Sequence, residues 1–77
     1  MTEGKVVLVT GAAGKVGQNF VRRFMADKAW QGAKIRAFCH NRLLKESDRL
    51  AVVRGSMAER GDVARAVAGV THVVHLA

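Results

Sequence analysis

Residues 10 to 17 read Thr-Gly-Ala-Ala-Gly-Lys-Val-Gly, directly after the apolar run Val6-Val7-Leu8-Val9. No other stretch restricts the fold so strongly. A short β-branched run of this kind reads as a buried strand, here Lys5 to Val9. From about Val16 onward the apolar residues recur at helical spacing. The chain must therefore pass from strand to helix through a turn holding three glycines. Gly11 allows the tight turn out of the strand. Gly14 lacks a Cβ, so the backbone can come close to an anion. Gly17 lets the first helical turn lie against the strand. The helix start adds free N–H groups and the positive end of a dipole. Strand, glycine-rich turn and helix start in this order form a nucleotide-phosphate site.

The rest of the chain continues the alternation. A helix is expected from Lys15 to about Lys28. Val16, Phe20, Val21, Phe24 and Met25 form its apolar stripe, and Gln18, Asn19, Arg22, Arg23 and Asp27 face away from it. Trp30 and Gly32 fall in the exit, with Gly32 as a turn residue. Lys34 to Cys39 reads as a second strand, with Ile35, Ala37 and Cys39 on one face and Arg36 and Phe38 on the other. His40 to Arg49 is a polar connection with one short helical turn at Leu43-Leu44. Leu50 to Arg54 is a third strand, and Gly55-Ser56-Met57 a loop. Asp62 is the expected N-cap of a short helix through Val63, Ala66 and Val67, which Gly69 stops. Thr71 to Leu76 is a fourth strand. The expected fold class is α/β, a partial Rossmann-like parallel sheet of about four strands in the order 3-2-1-4, joined by right-handed crossovers. No internal repeat or linker is visible, and residues 1–77 read as one small segment.

The formal net charge of +7 raises the question of an anionic partner. The basic residues are scattered, without a block of like charge or aromatic residues interleaved to stack bases. That pattern reads as a solvated basic surface and makes nucleic acid an unlikely partner. The single cysteine, Cys39, excludes a disulfide within the chain and makes a reducing compartment the default. No apolar run could span a membrane, and the first residues lack a signal-peptide pattern. A soluble cytoplasmic protein is the simplest reading.

The motif Thr10-Gly11-Ala12-Ala13-Gly14-Lys15-Val16-Gly17 resembles the Thr-Gly-x-x-Gly-x-x-Gly signature of the short-chain dehydrogenase/reductases. Val73-Val74-His75-Leu76-Ala77 resembles the fourth strand of their extended branch, the NAD-dependent epimerase/dehydratase family. The resemblance runs over essentially the whole chain. It implies that the backbone from Gly11 to Gly17, with Ala13, Gly14, Lys15 and Val16, holds a dinucleotide pyrophosphate. Ser56 and Met57 would border the adenine, and Leu76 and Ala77 would line the path to the nicotinamide ribose. The family's Gly-Asp-Leu after the third strand is Gly55-Ser56-Met57 here, so a hydroxyl stands in place of the charged anchor. The cofactor is NADP or NAD. At the end of the second strand Cys39 stands where an acid would meet the ribose 2′-OH. His40 and Arg42 follow, with Lys15 at the helix start and no carboxylate before Glu46. Basic residues there favour NADP. The competing reading is that Arg42 is a solvated loop residue.

The resemblance also implies a catalytic tyrosine and lysine beyond the fourth strand, yet the chain contains no tyrosine. The residues given are thus expected to bind a dinucleotide without carrying the family's catalysis. No other catalytic set replaces it. His72 and His75 lie three apart on a strand and point to opposite faces, so they cannot share a metal. Cys39 reads as an inert core residue, and Ser56 has no adjacent base. Gly14-Lys15 is followed by valine, which excludes a phosphate-loop NTPase. Two helices cannot cover both faces of a four-stranded parallel sheet, and a core of this size rarely supplies more than roughly 3–5 kcal/mol. The chain is therefore expected to be the N-terminal part of a longer protein or a truncated product. If complete, it should form a homo-oligomer through the open edge or face of the sheet. The alternative to an oxidoreductase or epimerase segment is a non-catalytic nucleotide-binding or regulatory module that oligomerises.

Overall fold

A computed structural model describes residues 2–76. Strand β1 (Val6–Thr10) leads through the glycine turn into helix α1 (Lys15–Ala26). Strands β2 (Lys34–Cys39) and β3 (Leu50–Arg54) follow, then helix α2 (Arg60–Val67) and strand β4 (His72–His75). The sheet order is β3-β2-β1-β4, and every pairing is parallel. The Rossmann-like α/β sheet expected from the sequence is therefore the one formed.

Alternation along the strands divides the core into two layers. On one face Val7, Val9, Ile35, Ala37 and Cys39 pack with Val21 and Phe24 of α1. On the other, Leu8 and Phe38 pack with Ala66 of α2. The two faces assigned to β2 are those observed. A one-residue slip would exchange the two sets, so burial on both sides fixes the register.

Several local expectations are corrected. Helix α1 ends at Ala26 rather than near Lys28. Asp27 is extended, and its carboxylate accepts a hydrogen bond from the Ala29 N–H at 2.9 Å. This side chain starts a separate 3-10 turn, Lys28–Trp30, in competition with the helix. Val16 belongs to the apolar stripe by spacing but is 66% exposed, on the wall of a groove between α1 and β4. Leu43-Leu44 forms no helical turn; the connection closes through a bridge between Ser47 and Leu50. Asp62 is not an N-cap. Helix α2 begins at Arg60 after Glu59, and Asp62 sits in its first turn. Its carboxylate reaches back to accept from the Ser56 N–H at 2.9 Å. Gly69, at φ 74, closes the helix as expected.

Two arginines tie the elements together. Arg36 of β2 donates from Nη1 to Ala66 O at 2.8 Å and Ala68 O at 2.5 Å, meeting carbonyls that the end of α2 cannot satisfy itself. Arg49 donates to Ala33 O and Trp30 O, at 2.9 Å and 2.6 Å, and so fastens the loop after α1.

Candidate functional site

The C-terminal ends of β1, β2 and β3 open into one hollow of about 500 Å³. Gly11 turns the chain out of β1 at φ 69, a conformation that a side chain would strain. Gly17 lies where α1 crosses that turn. A Cβ there would stand 2.1 Å from Gly11 O and 2.7 Å from Ala12 Cα. Gly14 differs, since a Cβ would meet nothing in the protein closer than Gly11 O at 3.4 Å. The fold needs Gly11 and Gly17, whereas Gly14 lines the hollow with only ordinary contact beside it.

Gly14 is also the N-cap of α1, with no side-chain hydrogen bond to the helix and no acidic residue in its first turn. The first N–H groups of a helix have no intrahelical acceptor. With the dipole end they make a place for an anion that no carboxylate of the first turn neutralises.

Of the residues singled out in the sequence, Gly11, Ala13, Gly14, His40, Arg42, Ser56 and Met57 line the hollow together. Lys15, Val16 and Gly17 form the first turn of α1, beside the hollow rather than in its wall. Val16 instead lines a second groove. Leu76 is held by its N–H to Thr10 O at 3.1 Å and packs against the α1-side core, outside the wall. Ala77 lies outside the described residues. Thr10, Phe38, Cys39, Asn41, Gly55 and Ala58 also line the hollow, and the sequence reading does not count them among the site residues. Asn41 could have been inferred from its place between His40 and Arg42. Ala58 had no signal, because a loop's path alone brings it there.

Among the described residues, none that lines the hollow is acidic. Glu46, the first carboxylate after β2, is engaged elsewhere and accepts from Val52 N–H at 2.8 Å. Burial pushes the Cys39 thiol above its ordinary value, and a hydrogen bond with the Leu44 backbone only partly offsets this. The thiol is thus a protonated wall atom rather than a nucleophile. Ser56 is fixed on both sides: Asp62 holds its N–H, and its hydroxyl accepts from Ala58 N–H at 3.1 Å. Among the described residues no group of three His, Cys, Asp or Glu could hold a metal. Among them no helix is long and apolar enough to cross a membrane.

The second groove is larger, about 920 Å³, and runs between α1 and β4 along Val16, Phe20, Trp30 and Val74. Its lining is mainly apolar and lies away from the glycine turn. It is the part of the α1 face that these elements leave uncovered. The smaller hollow is the better candidate site, because the anion-binding groups converge there.

A family model for the NAD dependent epimerase/dehydratase family matches residues 7–77. No curated protein matches the chain. Among solved structures, uronate dehydrogenase from Agrobacterium tumefaciens is similar at 30% identity and a TM-score of 0.79, over 99% of this chain and 27% of that one. A tyrosine-to-alanine mutant of that enzyme complexed with NAD is similar at 30% identity and a TM-score of 0.78, over 94% and 26%. The chain thus spans about a quarter of the length of these relatives.

Proposed function

Because the chain belongs to the NAD dependent epimerase/dehydratase family, we propose that it is the dinucleotide-binding segment of an oxidoreductase or epimerase. The observation that carries this reading is the convergence at one hollow of the glycine turn, an uncapped helix start and a wall without carboxylates. The backbone from Gly11 to Gly17, with Lys15 beside it, would hold the pyrophosphate. Ser56 and Met57 would border the adenine, with Asp62 keeping the Ser56 backbone in place. Leu76 and Ala77 would continue toward the nicotinamide ribose. A bound nicotinamide supplies hydride exchange; the residues of this chain bind and orient the dinucleotide.

His40 and Arg42 stand at the end of β2, where no carboxylate is present to accept from a ribose 2′-OH. We propose that they accommodate a 2′-phosphate, so that NADP is accepted in preference to NAD. The 77 residues hold no tyrosine, and we assign proton transfer to groups outside them. The open edge of β4, with Val73 58% exposed, is the surface on which further family fold or a second copy would pack. A calorimetric titration with NADP and NAD tests the cofactor reading. NADP should bind more tightly, and Arg42→Ala should weaken NADP while leaving NAD unchanged. Equal losses for the two cofactors would assign Arg42 to a part that they share and overturn its role at the 2′-phosphate.

A further inference from the structure

Strand β3 is one edge of the sheet. Its Arg49 O and Gly55 N–H face β2, bonded to Ile35 N–H at 2.7 Å and Cys39 O at 2.9 Å. Alternate residues of a parallel strand turn their backbone groups to opposite sides, so Leu50 and Val52 turn theirs outward. An outward row of this kind is open to a foreign strand unless something covers it. Here the connection from β2 returns along it. Ser47 and Leu50 exchange hydrogen bonds at 3.0 Å and 3.2 Å, and the Glu46 carboxylate accepts from Val52 N–H at 2.8 Å.

The same connection starts at the hollow, where His40, Asn41 and Arg42 line the wall. Leu44 then packs against the α1-side core, and its backbone meets the Cys39 thiol. Residues 40–47 thus form a strap with one end at the hollow and the other on the edge of β3. His40, Asn41 and Arg42 are exposed, so little apolar burial holds that end, and its path depends on the points where the strap is fastened. The Glu46 bond has an ionised acceptor, which makes it stronger than one between neutral groups. It also engages the carboxylate. A free carboxylate so near Arg42 in sequence would compete with a phosphate for the guanidinium.

We propose that Glu46 is a positioning residue for Arg42. By holding the strap on the outer edge of β3, it presents Arg42 to the 2′-phosphate of NADP and keeps its own carboxylate out of the hollow. Glu46 acts through the strap and touches no part of the dinucleotide. The proposal rests on the reading of the hollow as the NADP site.

Calorimetric titration with NADP and NAD, beside amide exchange of the 15N-labelled protein, tests it in the wild type, Glu46→Ala, Glu46→Gln and Arg42→Ala. Glu46→Ala should speed exchange of the Val52 amide and weaken NADP about fivefold, the effect of one net hydrogen bond on the population of the ordered strap. NAD should be unchanged, whereas a general loss of structure would weaken both. Glu46→Gln keeps an oxygen for Val52 N–H and should keep the NADP-to-NAD ratio of the wild type. Val52 exchange as slow in Glu46→Ala as in the wild type would mean that the bond does not hold the strap, and overturns the proposal. An unchanged ratio in Glu46→Ala, or equal losses for the two cofactors, overturns it too. Tighter NADP binding in both Glu46 variants would show the carboxylate acting only as a charge that repels the phosphate, and overturns the positioning role. If Arg42→Ala leaves the ratio unchanged, or the folded wild type binds neither dinucleotide, the reading of the hollow as the NADP site fails, and the role of Glu46 fails with it.

Discussion

Replacing Gly17 with alanine separates two opposing effects whose sizes the structure decides. Gly17 lies inside α1, where alanine is favoured over glycine by roughly 1 kcal/mol. If helix propensity governed, Gly17→Ala would stabilise the protein. The new Cβ, however, would stand 2.1 Å from Gly11 O and within 2.8 Å of Ala12 Cα and C. Ordinary contact begins at 3.4 Å, so the shortfall against Gly11 O is about 1.3 Å. The atoms in the way belong to backbone, and the turn they form is set by the positive φ of Gly11. Neither α1 nor the turn can yield without separating Val21 and Phe24 from the sheet. Overpacking of this kind costs about 1–3 kcal/mol and occasionally more, and the severity here puts it at the upper end. Net of propensity, a loss of about 2 kcal/mol is expected. For a folding unit of this size each kcal/mol moves Tm by about 4–8 °C, so Tm should fall by about 8–16 °C. Thermal melting followed by far-ultraviolet circular dichroism measures it. A Tm equal to or above that of the wild type would refute the close packing of α1 on the glycine turn.

Gly14 predicts the converse pattern, since a Cβ there meets only ordinary contact. Gly14→Ala should melt within a few degrees of the wild type, whereas Gly14→Asp should abolish dinucleotide binding in calorimetry by placing a carboxylate where the phosphate would sit. Arg36→Met removes the donor that meets the carbonyls at the end of α2. It should lower stability by about 1–2 kcal/mol in urea titration, with faster amide exchange concentrated in α2. Burial raises the Cys39 thiol, so the folded state prefers the neutral form. The stability this contributes is present below the ordinary thiol range and is lost as pH climbs through the raised value. The urea midpoint of the wild type should therefore fall more steeply at alkaline pH than that of Cys39→Ala. The native thiol should also react with iodoacetamide far more slowly than in the unfolded chain.

What could be seen in the sequence depended on how local its physical cause was. Strands β2 and β3 have the expected limits because their apolar runs are bounded by polar connections. The sheet order follows from alternation and crossover handedness, neither of which needs a distant contact. Asp27 and Asp62 depart from expectation for a shared reason. A short carboxylate can satisfy several nearby N–H groups, and which one it takes depends on the path of the loop. Asp27 caps the turn after α1 rather than facing out from a longer helix. Asp62 spans back to Ser56 rather than starting α2. Spacing alone puts Val16 on the apolar stripe, yet a stripe is buried only as far as the partner surface extends. At the site, the glycine turn was legible because each glycine answers a backbone demand. Thr10 and Ala58 were not, because sheet register and loop path bring them to the wall.

A nicotinamide dinucleotide lying along the glycine turn would alter a defined set of backbone amides. Titration of the 15N-labelled protein with NADP, followed by amide chemical shifts, reads them one by one. The largest shifts should fall on Gly11 to Gly17, with further shifts at His40 to Arg42 and Ser56 to Ala58. Shifts confined to the apolar groove of Phe20, Trp30 and Val74, or none in a folded sample, would contradict it.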